Sequence, residues 1–217
     1  MSPRPRKASD SEVFGAAMRV MSRVGPADLT LSAIAAEAGL TPGALVQRFG
    51  SKQRLLRTIS SQLGGAAAEI FAQLRSAHPS PLAALREYAR CQAQLAESPD
   101  ALARNLAYLQ LDLTDPELYQ GLLRYARGTR AQLAALVKAA IAAGELSSTA
   151  RPGQLARLIE VTLSGSMMTW AIYREGAAAR WMVADLDAVL RPYINASRSS
   201  SQTPRRTSGA ASAGRRW

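Results

Sequence analysis

The sequence predicts an all-α protein: an N-terminal three-helix unit with a helix-turn-helix, followed by a larger helical domain. Three observations carry that expectation. Alanine, the strongest helix former, supplies 42 of 217 residues, against 15 glycines and 11 prolines. β-branched residues are sparse. Apolar residues recur at helical spacing in successive segments, each bounded by Ser, Thr, Asp, Gly or Pro.

The elements follow in order. Residues 1–10 read as a flexible basic arm, because Pro3 and Pro5 block helix and Arg4, Arg6 and Lys7 cluster there. From Ser11 to Val24, Val13, Phe14, Ala17, Met18 and Met21 mark the apolar face of a first helix, which Gly25-Pro26 ends. Thr30 is placed to cap a short helix from Leu31 to Ala38, and Gly39 follows. Thr41 caps a third helix to Phe49, with Pro42 at its first position. Ser51 caps a long fourth helix from Lys52 to about Ala77, whose middle carries Gly64-Gly65. These two glycines permit either a close helix contact or a softened helix. Further helices are expected over 82–97, 99–113, 116–143, 152–173 and 177–194. From Ala196 the chain has no apolar period, so 196–217 read as a disordered basic tail. The domains expected are therefore 11–56 and 57–195, between the arm and the tail.

Charge divides along the same lines. Of a net +11, residues 1–60 contribute +5, residues 61–195 only +1, and residues 196–217 another +5. Basic ends on a balanced middle point to a polyanion, most simply nucleic acid, although a basic tail also serves as a solubilising appendage. Other classes are disfavoured. One cysteine, Cys91, fits a reducing compartment, and with the single His78 it leaves no His/Cys metal set. There is no Ser/His/Asp or Cys/His set and no Gly-rich phosphate loop, so no enzyme, cofactor or metal is expected. Asp112 and Asp115 stand three apart, but Asp115 precedes Pro116 and reads as a helix cap. No apolar run reaches about 18 residues, and Met1 to Asp10 lack a signal core, so a cytoplasmic protein with no membrane contact is expected.

The segment 30–49 is the most informative. A short helix, a turn through Gly39 and a second short helix form a helix-turn-helix pattern. Gly39 can supply the positive φ the steep crossing needs. Ile34, Ala35, Ala38, Leu45 and Phe49 would face Phe14, Ala17 and Met21. Pro42, Gly43, Ala44, Val46, Gln47 and Arg48 would then turn outward, where a DNA reader presents them to the major groove. The same pattern also occurs in ordinary helical hairpins.

Residues 13–56 resemble the N-terminal domain of the TetR family, the tetracycline-repressor-like bacterial regulators. The resemblance rests on Val13, Ala16-Ala17, Val20-Met21, Gly25, Leu29-Thr30-Leu31, Ile34-Ala35, Ala38-Gly39-Leu40-Thr41, Gly43, Leu45, Phe49, Ser51-Lys52 and Leu55 at ungapped spacing. It implies backbone contacts from Thr30, Thr41 and Lys52, with Ser32, Pro42, Ala44, Gln47 and Arg48 near base edges. The chemistry agrees for two of these, since Gln pairs with adenine and Arg with guanine. Val46 departs from the tyrosine usual in the family and cannot make its phosphate hydrogen bond.

The resemblance further implies a homodimer on a double-stranded operator, controlled by a small-molecule effector. The expected effector residues are Tyr88, Cys91, Leu95, Leu109, Tyr119, Leu123, Met167 and Trp170, a set whose bulk and polar handles suit a largely apolar ligand. Each of them also suits a plain core position. The dimer is expected through residues 152–194, using Leu155, Leu158, Thr162, Gly165, Ser166 and Thr169 beside Met182, Leu186, Val189, Leu190 and Tyr193. The function expected is a transcriptional repressor released by its ligand. The alternative is a dimeric DNA-binding regulator without a ligand, controlled by a partner protein or by its own level.

Overall fold

A computed structural model describes residues 8–195. Among the described residues are nine α-helices: α1 (Asp10–Arg23), α2 (Leu31–Ala38), α3 (Pro42–Phe49), α4 (Lys52–Ala77), α5 (Pro81–Ala93), α6 (Pro99–Thr114), α7 (Pro116–Ala142), α8 (Pro152–Tyr173) and α9 (Ala178–Leu190). The arm through Lys7 and the tail from Ala196 lie outside the described residues.

The boundaries are set by capping. Thr30, Thr41, Ser51, Ser80, Ser98 and Asp115 each accept a backbone N–H in the first turn that follows them. Ser9 and Glu12 form a reciprocal capping box, so α1 starts one residue earlier than its apolar pattern suggests. Two expected helices end early. After Ala93 a 3₁₀ turn, Gln94–Ala96, carries the chain into α6. After Leu190 a second, Arg191–Tyr193, contains Pro192, whose missing N–H cannot continue an α-helical ladder.

Two cores form. Val13, Ala17, Val20, Leu29, Ile34, Ala35, Leu45, Phe49 and Leu55 pack α1, α2, α3 and the start of α4 together. This core does not stop at residue 56, because Ile59 of α4, Tyr108 of α6 and Leu118 of α7 belong to it as well. The second core joins α4, α5, α7, α8 and α9 around Phe71, Leu85, Leu133, Leu136, Ile159, Met182 and Leu186. There the Phe71 and Tyr88 rings lie 4.8 Å apart.

The expected α9 stripe is corrected by this packing. Met182, Leu186 and Leu190 are completely buried within the chain, where α9 lies against α5 and α8, so they are not free to face a second copy. On α8, Leu155 and Ser166 are buried as well. What α8 leaves outward is Leu158, Val161, Met168 and Ile172, spaced to share one face with Gly165.

α4 and α7 form the most extensive helix pair. Their close approach depends on Gly121: a Cβ there would stand 1.9 Å from Ser60 Oγ and 2.6 Å from the Ser60 carbonyl oxygen. The Ser60 hydroxyl in turn donates to the Leu118 carbonyl at 3.2 Å. Gly65 is different. A Cβ there would meet nothing within 4 Å, so no neighbour requires a glycine at that position.

Two stability predictions follow from this contrast. Gly121→Ala should cost about 1–3 kcal/mol, because the Ser60 backbone cannot rotate away. Gly65→Ala should instead stabilise by about 0.5–1 kcal/mol through helix propensity. Urea melts of the two variants check both signs, and a destabilising Gly65→Ala would restore the close-contact reading there.

Candidate nucleic-acid interface

The N-terminal unit is built so that α3 presents one face outward. Gly39 adopts φ 67°, ending α2 as a left-handed cap that donates to the Ala35 and Ala36 carbonyls. The chain then re-enters helix within three residues, at Pro42. Leu45 and Phe49 anchor α3 in the core, and the Phe49 ring sits 6.0 Å from that of Phe14. Pro42, Gly43, Val46, Gln47 and Arg48 are exposed, and Ala44 is half-buried. Thr30, Ser32 and Thr41 are exposed on the same unit.

These groups are not equally free. The Thr30 and Thr41 hydroxyls accept from the amides of Ala33 and Ala44 at 3.1 and 3.2 Å, which holds each at a helix N-terminus. Lys52 is half-buried and donates from Nζ to the Pro26 carbonyl at 3.0 Å. This bond uses one of the three ammonium donors and ties the start of α4 to the loop after α1. Arg48 is the most constrained. Its guanidinium pairs with the Asp10 carboxylate, donates to the Ala8 carbonyl at 2.5 Å and lies 5.5 Å from the Phe49 ring centroid. A base contact from Arg48 requires those bonds to open; Gln47 has no such tether among the described residues.

Around this face, α1 and α2 are braced by Glu37, which receives Arg19 at 2.6 Å and Arg23 at 2.5 Å. Those two guanidinium groups hold the Glu37 carboxyl below its ordinary range.

The geometry is that of a helix-turn-helix with a small, polar recognition surface. Residues 13–59 match the family model of bacterial regulatory proteins, tetR family. That match covers the helix-turn-helix unit and the first turns of α4. No curated protein matches it in sequence. Among solved structures it is similar to SmeT, the repressor of the Stenotrophomonas maltophilia multidrug efflux pump SmeDEF. The two are 22% identical over 87% of this chain and 92% of that one, with a TM-score of 0.59. A TetR transcription regulator from Haloarcula marismortui is 16% identical over 86% and 98%, with a TM-score of 0.68. FadR from Bacillus subtilis, solved with stearoyl-CoA, is 18% identical over 84% and 98%, with a TM-score of 0.62. At these identities the likeness shows a shared TetR fold across nearly the whole chain.

The expected effector residues sit in different environments. Tyr88 and Trp170 are buried in the second core, and the Trp170 indole donates to the Gly176 carbonyl at 3.0 Å. Cys91 and Met167 are half-buried against that core, Leu123 is half-buried, and Tyr119 is exposed. Leu95 and Leu109 line a common cavity. It measures 790 Å³ and opens between the N-terminal unit and the helices behind it. Its wall combines Met18, Met21 and Arg23 of α1, Leu56, Ile59 and Ser60 of α4, Arg104, Tyr108, Leu109 and Asp112 of α6, and Leu118, Leu122 and Tyr125 of α7. The sequence offers one signal toward it. Met18 is 46% exposed, an apolar residue on α1 that the three-helix core does not use.

On this geometry Lys52→Ala should weaken binding to all duplexes alike and lower the salt slope by about 1. Gln47→Ala should relax preference at one base position by about 1–3 kcal/mol. Titrating both variants across a panel of single-base operator changes separates the roles, and identical profiles would refute the division.

Proposed function

We propose that the protein is a sequence-specific, homodimeric transcriptional regulator, a repressor released from its operator by a small, largely apolar ligand. The observation that carries the DNA reading is the outward face of α3 around Gln47, flanked by Thr30, Thr41 and Lys52 at helix N-termini, where backbone amides favour phosphate. The contact set we propose is Thr30, Ser32, Thr41, Pro42, Gly43, Ala44, Val46, Gln47, Arg48 and Lys52. Val46, half exposed, offers a methyl surface suited to thymine in place of the family's tyrosine.

The reading includes a dimer because a paired reader spans two half-sites about one helical turn apart or more. The exposed apolar row of α8, Leu158, Val161, Met168 and Ile172, supports α8 as the surface that meets the second copy. Ligand release is supported by the cavity, whose wall includes α1 and α4, so filling it bears directly on the reading unit. The likeness to FadR, which was solved with stearoyl-CoA, is consistent with an apolar effector.

Ile172 is 77% exposed, so Ile172→Glu should leave the fold intact while opposing the dimer. Light scattering should then report the 23.2 kDa chain rather than twice that mass, and operator affinity in gel shifts should collapse. A wild-type chain that shows no sequence preference on a randomised duplex pool would overturn the function. A monomeric wild type that still binds specifically would overturn the dimer.

A further inference from the structure

The cavity between α1, α4, α6 and α7 has two unequal sets of lining groups. Most of its wall is apolar, with Met18, Met21, Leu56, Ile59 and Leu122 among the contributors. Its 790 Å³ falls within the range of small-molecule sites. Two carboxylates line it: Glu97 is exposed at the edge, and Asp112 stands against the apolar wall. Asp112 is half-buried and has no hydrogen bond or ion pair among the described residues.

The charges nearby do not neutralise it. Its neighbour Asp115 is of like sign and already holds Arg57 at 2.8 Å and Gln53 at 3.0 Å. Arg23, on the cavity wall, is committed to Glu37. Arg104 makes no ion pair with Asp112, although its Nε is buried without an acceptor. Burial, and then the proximity of Asp115, push the Asp112 carboxyl up to about 6. A carboxylate in such a setting gains most from a cation that arrives with its own apolar body.

We propose that this cavity binds a lipophilic organic cation, with the ammonium on Asp112 and the hydrocarbon against the α1, α4 and α7 side chains. The proposal deepens the effector reading and rests on it for its regulatory meaning. Arg104 lies eight residues before Asp112 on α6, roughly 12 Å along the helix. Its positively charged side chain also lines the cavity, which disfavours a second cationic group at that end of the ligand. The site therefore favours an elongated molecule, basic at one end and uncharged at the other.

Calorimetry on the full chain with decylammonium, decanol and decanoate, three probes of equal length and different head charge, tests this. Decylammonium should bind about tenfold more tightly than decanol, and decanoate more weakly than either. Asp112→Asn, which keeps the shape and removes the charge, should abolish the preference for the amine while decanol binding persists. Leu122→Trp, which fills the cavity, should remove binding of all three, with helical circular dichroism confirming the fold. Tightest binding of decanoate, or an amine preference surviving Asp112→Asn, would overturn the proposal. Gel shifts with decylammonium test the effector reading separately: binding without operator release upholds the cation site and removes its regulatory role.

Discussion

Asp115 closes the joint on which the placement of the DNA-reading unit depends. One carboxylate oxygen caps α7, accepting from the amides of Glu117 and Leu118 at 2.9 and 3.2 Å. The other accepts from Arg57 at 2.8 Å and Gln53 at 3.0 Å, both on the first turns of α4. Arg57 extends the joint to Glu117 at 2.7 Å. The side chain is buried, and the Arg57 guanidinium, with the helix and Gln53 donors, holds its carboxyl well below the usual carboxylate range. Stability from a group shifted in this direction is present above the unfolded value near 3.9 and is lost as pH falls through the lower folded value. The joint is therefore intact at neutral pH and weakens only in acid.

Two further ties lie beside it. The Tyr108 hydroxyl of α6 donates to the Val24 carbonyl at the end of α1, 3.0 Å away, and burial pushes that phenol up to about 12. Gly121 lets α7 approach the Ser60 backbone of α4. Together these hold the three-helix unit against the α6–α7 corner at three points. Lone surface pairs such as Arg130–Glu160, with the arginine 55% exposed, contribute little by comparison. The cavity opens within this frame, with Tyr108 on its wall, so a ligand there would push on the contacts that orient α3.

Much of the fold was legible because it is written in local chemistry. Thr30, Thr41, Ser51 and Asp115 are placed as caps by residue type and position alone, and Gly39 takes the positive φ expected of it. The candidate site was legible in part. Solvent-facing positions of α3 follow from helical periodicity once Leu45 and Phe49 are assigned to the core. The tether of Arg48 to Ala8 and Asp10 could not be read, because it joins residues about forty apart across a helix crossing.

The sequence by itself determined the helices, their caps, the helix-turn-helix and the family its N-terminal unit resembles, since all of these depend on spacing within some fifty residues. Tertiary structure alone decided which apolar faces meet. Met182, Leu186 and Leu190 look like an interface stripe until α5 and α8 cover them. Leu158, Val161, Met168 and Ile172 remain outward only because α8 turns other residues toward α7 and α9. Burial of an apolar side chain is not directional, so a sequence marks which faces must be covered and the packed chain chooses what covers them.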